Sequence, residues 1–158
     1  MSDSVSFSIY VEQLKKGGEH QIEEFFAPDF LDINEPDLSF KNEVALKGVA
    51  YLVDQELIFF WDISTQASIP CSICNQMTQV PIEIKKSIHS VPLNDIPSGI
   101  YDFRELLRET ILLEVPLFAE CNGGKCPERQ VAQHYLTDPS SGEKDVYRPF
   151  ADLESLQP

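Results

Sequence analysis

The run ELIFFWDISTQASI, residues 56–69, puts Leu57, Phe59, Trp61 and Ile63 on one face and Ile58, Phe60 and Asp62 on the other. A period of two is the signature of a strand, and this one carries a heavy apolar load on one side. EVALKGVAYLV precedes it across Asp54-Gln55, which predicts an antiparallel hairpin. QVPIEIKKSI follows, alternating Val80, Ile82, Ile84, Lys86 and Ile88 as a third long strand. Strands of this length need a sheet with an apolar face, and that face needs a cover.

The remaining elements are shorter. Val5, Phe7, Ile9 and Val11 alternate near the N-terminus and predict a strand that Gly17-Gly18 breaks. Ile22, Phe25 and Phe26 stand at helical spacing, which predicts a helix ended or bent by Pro28. HSVPLNDIPSG reads as a loop. The best helix runs from about Phe103 to Glu114, with Asp102 as its cap and Glu105 completing the cap signature. Its apolar stripe is Phe103, Leu106, Leu107, Ile111 and either Thr110 or Leu113, and Pro116 stops it. The expected architecture is α+β, an antiparallel sheet with one main packed helix, strong curvature or a barrel-like form being one outcome. Residues 1–158 are read as one domain, with a loop or linker at 137–145 before a short C-terminal helix.

The hairpin delivers its end into Cys71 and Cys74, and the helix runs into Cys121 and Cys126. Four thiols in two close pairs can be a metal site, two disulfides, a redox couple or core thiols. A thioredoxin-like couple needs a helix N-terminus behind its Cys-x-x-Cys to stabilise the thiolate. CSICNQMTQVPIEIKK moves into a strand instead, so that support is missing. Zinc knuckles need positive φ after the second cysteine, and Asn tolerates it best after Gly. Asn75 stands there, and Asn122-Gly123-Gly124 supplies a permissive loop in the second pair. The reading favoured here is a closed, structural Zn²⁺ site of Cys71, Cys74, Cys121 and Cys126, with no open coordination position for chemistry. His20, His89 and His134 are scattered and read as surface residues, His134 being the substitute ligand nearest the second pair.

Charge narrows the function. Twelve Lys and Arg face twenty-six Asp and Glu, a formal charge of −14, and the densest basic groups are the pairs Lys15-Lys16 and Lys85-Lys86. Nucleic-acid binding works by neutralising phosphates, so strong direct binding is not expected. An acidic surface suits a basic protein partner or solubility. No apolar run reaches the roughly 20 residues of a membrane span. The opening MSDSVSFSIY lacks the basic and apolar regions of a secretory signal, so a cytoplasmic address is expected. No Gly-rich phosphate loop or GxSxG is present, and the chain is not read as an enzyme.

In order, the chain presents a strand hairpin ending in CSIC, a strand, YDFRELLRETILLEVPLFAEC, a glycine-containing cysteine loop with CP, and YRPFADLESL. This order, from about Val44 to Leu156, resembles the bacterial YceD family, implicated in accumulation of large-subunit ribosomal RNA. Ile73 stands where that family carries Arg, the second cluster keeps only Cys121 and Cys126, and Arg148-Pro149 reverses the usual Pro-Arg. The resemblance implies a role in ribosome large-subunit production, and the acidic surface suits a basic ribosomal or assembly protein as partner of a non-enzymatic factor. A metal- or thiol-dependent enzyme using the same cysteines is the alternative.

Overall fold

Leu57, Phe59, Trp61 and Ile63 are all buried, as their spacing predicts, and the face they share organises the molecule. The computed structural model describes residues 6–136. Its elements are β1 (Ser8–Tyr10), α1 (Val11–Leu14), β2 (Glu19–Phe26), β3 (Val44–Val53), β4 (Glu56–Pro70), β5 (Met77–Pro92), β6 (Ile100–Asp102) and α2 (Arg104–Leu113). Strands β2-β3-β4-β5 form an antiparallel meander in that order, and β1 pairs with β6 in a separate two-stranded sheet. Val5, the 137–145 linker and the C-terminal helix lie outside the described residues. Contacts divide the chain into two compact units, Met1–Cys126 and Pro127–Pro158. Of the second, the helix Arg129–Leu136 is described.

The first unit is α+β, mostly antiparallel sheet with a few short helices. It is not a barrel: among the described strands β2 pairs only with β3 and β5 only with β4, which leaves the four-stranded sheet open. Phe103, just before α2, lies within about 6 Å of four rings: Phe7 at 5.6 Å, Phe59 at 5.9 Å, Trp61 at 5.9 Å and Phe26 at 6.1 Å. Leu107 and Ile111 continue that buried stripe. Thr110 completes it, its hydroxyl donating to the Leu106 carbonyl at 2.7 Å, so a polar group is buried with its hydrogen bond made. Leu113, the other candidate, faces out. Asp102 is not the cap expected: Phe103 takes the cap position without a side-chain cap hydrogen bond, and the Asp102 carboxylate instead accepts from the Arg104 amide at 2.9 Å.

Four expectations about the strands need correction. Residues 19–26 are a strand, not a helix: Ile22 and Phe26 are buried while Phe25 is 62% exposed. A spacing of four satisfies both a helix and a strand face, and pairing with β3 over the whole length decides for the strand. The N-terminal strand is only Ser8–Tyr10, after which Val11 and Leu14 are buried from a helical turn. In β5 the alternation reverses midway. Trp61 pairs with Ser87 but Ile63 with Ile84, so Asp62 opposes both Lys85 and Lys86. Lys86 adopts φ 55° and its amide donates to the Asp62 carboxylate at 2.6 Å, a β-bulge. Beyond it Ile88, expected on the buried face, is 63% exposed, and Ser87 and His89 oppose Trp61 and Phe59 instead. The strand also continues through His89-Ser90-Val91-Pro92, which the sequence suggested was loop.

Candidate metal centre

The first pair of sulfurs sits where β4 runs out. Beyond Pro70 the chain turns: the Asn75 amide donates to the Cys71 carbonyl at 2.9 Å, and the Cys71 amide donates to the Gln76 carbonyl at 2.8 Å. Closing this turn and returning into β5 puts Asn75 at φ 62°, the left-handed conformation its residue type tolerates. The second pair is built the same way. Asn122, Gly123 and Gly124 have φ of 57°, 63° and 88°, so Cys121–Gly124 is a left-handed turn. Glycine makes that conformation free of Cβ strain.

What joins the two turns is Ala119. It lies beside Cys71 in a parallel bridge, and its carbonyl accepts from the Ser72 amide at 2.7 Å. The Cys71 sulfur then accepts from the amides of Cys121 at 3.3 Å and Ile73 at 3.5 Å. Glu120 Oε1 accepts from the Cys126 amide at 2.8 Å and fixes the exit of the loop.

All four sulfurs lie within 4.8 Å of one another. Cys71 and Cys126 are buried, and Cys74 and Cys121 are half-buried. The Cys74 and Cys121 sulfurs are 3.7 Å apart, far beyond the roughly 2.05 Å of a disulfide, and none of the four cysteines is in a disulfide. With metal–sulfur bonds of about 2.3 Å, a tetrahedron of thiolates has edges of about 3.8 Å. The cluster therefore matches the size of a four-thiolate site, and its four sulfurs can hold a metal ion.

The electrostatics differ among the four. The backbone amide of Cys74, then that of Cys121, lowers the Cys71 pKa to about 6, against the upward push of burial. Cys121 is pushed well above the ordinary thiol range, first by its hydrogen bond with the Cys126 thiol, then by burial and by Cys74 and Cys71. Four thiols crowded together without a cation cannot all ionise, since each thiolate opposes the next. A divalent ion reverses that balance, because a coordinating thiol is deprotonated outright.

The four cysteines were legible from spacing, whereas Ala119 and Glu120 were not. No motif marks a residue whose part is a backbone bridge or a hydrogen bond accepted from a loop amide. His20 lies on β2 and His89 on β5, neither of them in the sulfur cluster. Among the described residues no helix is long and apolar enough to cross a membrane. Comparison with protein-family models, with curated proteins and with solved structures finds no match to this chain.

Proposed function

We propose that Cys71, Cys74, Cys121 and Cys126 hold one structural Zn²⁺, and that the protein is a non-enzymatic binding factor supporting large-subunit ribosomal RNA accumulation. The observation that carries the metal reading is the convergence of four cysteine sulfurs, none in a disulfide, from turns 47 residues apart, at distances of a tetrahedral site. Zinc is the ion that four thiolates in a closed tetrahedron suit best. Its part is to tie the end of β4 to the chain beyond α2. The ribosomal role rests on the YceD-like order of hairpin, CSIC, helix and cysteine loop. A charge of −14 supports a basic ribosomal or assembly protein as partner, and weighs against direct RNA binding.

The enzyme alternative has one supporting observation, the lowered pKa of Cys71. That sulfur is buried, however, and the amides that lower its pKa are those a thiolate ligand uses. Metal content of protein purified without added zinc tests the site. One zinc per chain is expected, and metal-free protein that is equally stable in chelator overturns the reading. Affinity capture of the tagged protein, analysed for ribosomal proteins and precursor RNA, tests the cellular role. Recovery of neither overturns it.

A further inference from the structure

Helix α2 places a threonine inside and a leucine outside: Thr110 is buried and Leu113 is 85% exposed. Four residues on, Leu117 is 90% exposed and Phe118 80%. Large apolar side chains scattered singly over a surface are ordinary, but three of them within residues 113–118 form a concentration that marks contact sites.

This segment is held at both ends. Val115 packs against the core, and its amide donates to the Leu112 carbonyl at 3.3 Å. Pro116 fixes its own φ. Ala119 is bridged to Cys71, and its carbonyl takes the Ser72 amide at 2.7 Å. Leu117 and Phe118 are thus presented between two anchors, one of them the cysteine cluster itself. A surface ordered in advance loses less entropy on binding.

Among the described residues, the charged side chains of this helix and its end that form no ion pair have one sign. Glu109 and Glu114 are exposed and form no ion pair among the described residues. The cations of the same helix are engaged: Arg104 pairs with Asp102 and stacks on Phe7, while Arg108 donates to the Leu31 carbonyl.

We propose that Leu113, Leu117 and Phe118, with Glu109 and Glu114 beside them, are the docking surface for a cationic amphipathic segment of a protein partner. This rests on the binding-factor reading above, and it makes the metal centre the device that holds the surface in place. Acidic side chains at the edge steer and select a basic partner, while the apolar side chains supply most of the contact energy.

The test uses the zinc-loaded full chain and a labelled synthetic helix of leucine and lysine, read by fluorescence anisotropy. Its controls are the same helix with every lysine replaced by glutamate, and one with every leucine replaced by serine. Binding of the leucine–lysine helix alone is expected, weakened roughly tenfold or more by Leu117→Ser with Phe118→Ser and weakened by chelator. A double variant that binds as tightly as the parent overturns the proposal, as does equal binding of either control helix. A parent protein that self-associates through this segment, and becomes monomeric in the double variant, assigns the surface to a second copy and overturns it too. Metal content and cellular capture are separate readouts, so the binding-factor reading can stand when this surface fails.

Discussion

The sulfurs of Cys74 and Cys121 lie 3.7 Å apart although 47 positions separate them in the chain. Neither belongs to a regular strand or right-handed helix. Each sits in a turn that contains left-handed residues, Asn75 in one and Asn122, Gly123 and Gly124 in the other, and the turns meet where Cys71 pairs with Ala119. The contact therefore reports the packing of everything between them: β5, β6 and α2.

Because both thiols serve one centre, Cys74→Ser and Cys121→Ser should lower stability alike, and chelator should add nothing further in either variant. Zinc held at about a thousand times its dissociation constant contributes about 4 kcal/mol. Chemical denaturation with and without chelator measures this. Unequal losses, or a chelator effect that persists in a variant, would show that the cysteines do not act as one site.

Gly48 pairs with Trp61 across β3 and β4. A Cβ at position 48 would stand 2.4 Å from the Phe60 carbonyl oxygen and 2.5 Å from the Trp61 Cβ. Backbone cannot yield as a side-chain tip can, so Gly48→Ala should force the strands apart and cost about 1–3 kcal/mol. Urea unfolding followed by tryptophan fluorescence gives the value, and an unchanged midpoint would contradict the pairing.

Leu107 and Leu113 lie on the same helix with opposite fates, one fully buried and one largely exposed. Leu107→Asp places an unpaired charge against Phe103 and the sheet and should cost about 3 kcal/mol or more. Leu113→Asp should stay within about 0.5 kcal/mol. Comparable melting temperatures for the two variants would mean that α2 is rotated from the orientation described.

His89 accounts for part of the acid sensitivity expected here. Its ring lies 5.6 Å from Trp61, its Nε2 is 2.8 Å from the Ser87 hydroxyl, and the Thr110 hydroxyl is 3.4 Å away. Burial pushes its pKa below the ordinary 6.5. Above that pH the imidazole is neutral in both folded and unfolded chains and does not affect their balance. Below it the unfolded chain binds a proton that the folded chain resists, so stability falls until the folded pKa is passed. Unfolding free energies at about pH 7.5 and 5.5 should differ less in His89→Gln than in the parent. Equal differences would remove His89 from the account.

Local chemistry determined much of this protein. Apolar alternation was enough for β4 and its inner face, because a side-chain period of two is a property of the strand alone. Asn75 and Asn122-Gly123-Gly124 announced left-handed turns, since few residue types accept that backbone. The stripe Phe103, Leu107 and Ile111 announced α2. Tertiary structure decided where local signals were degenerate or silent. Ile22 and Phe26, four apart, fit a helix face and a strand face equally, and only the neighbouring β3 selected the strand. Thr110 and Leu113 each extended the stripe, and the sheet's position chose Thr110. Lys86 carries no turn signal, yet its left-handed backbone reverses β5, because Asp62 on the adjacent strand captures its amide. The meeting of four sulfurs is likewise a long-range fact: spacing specifies each pair, but only the packed sheet and helix set the distance between pairs.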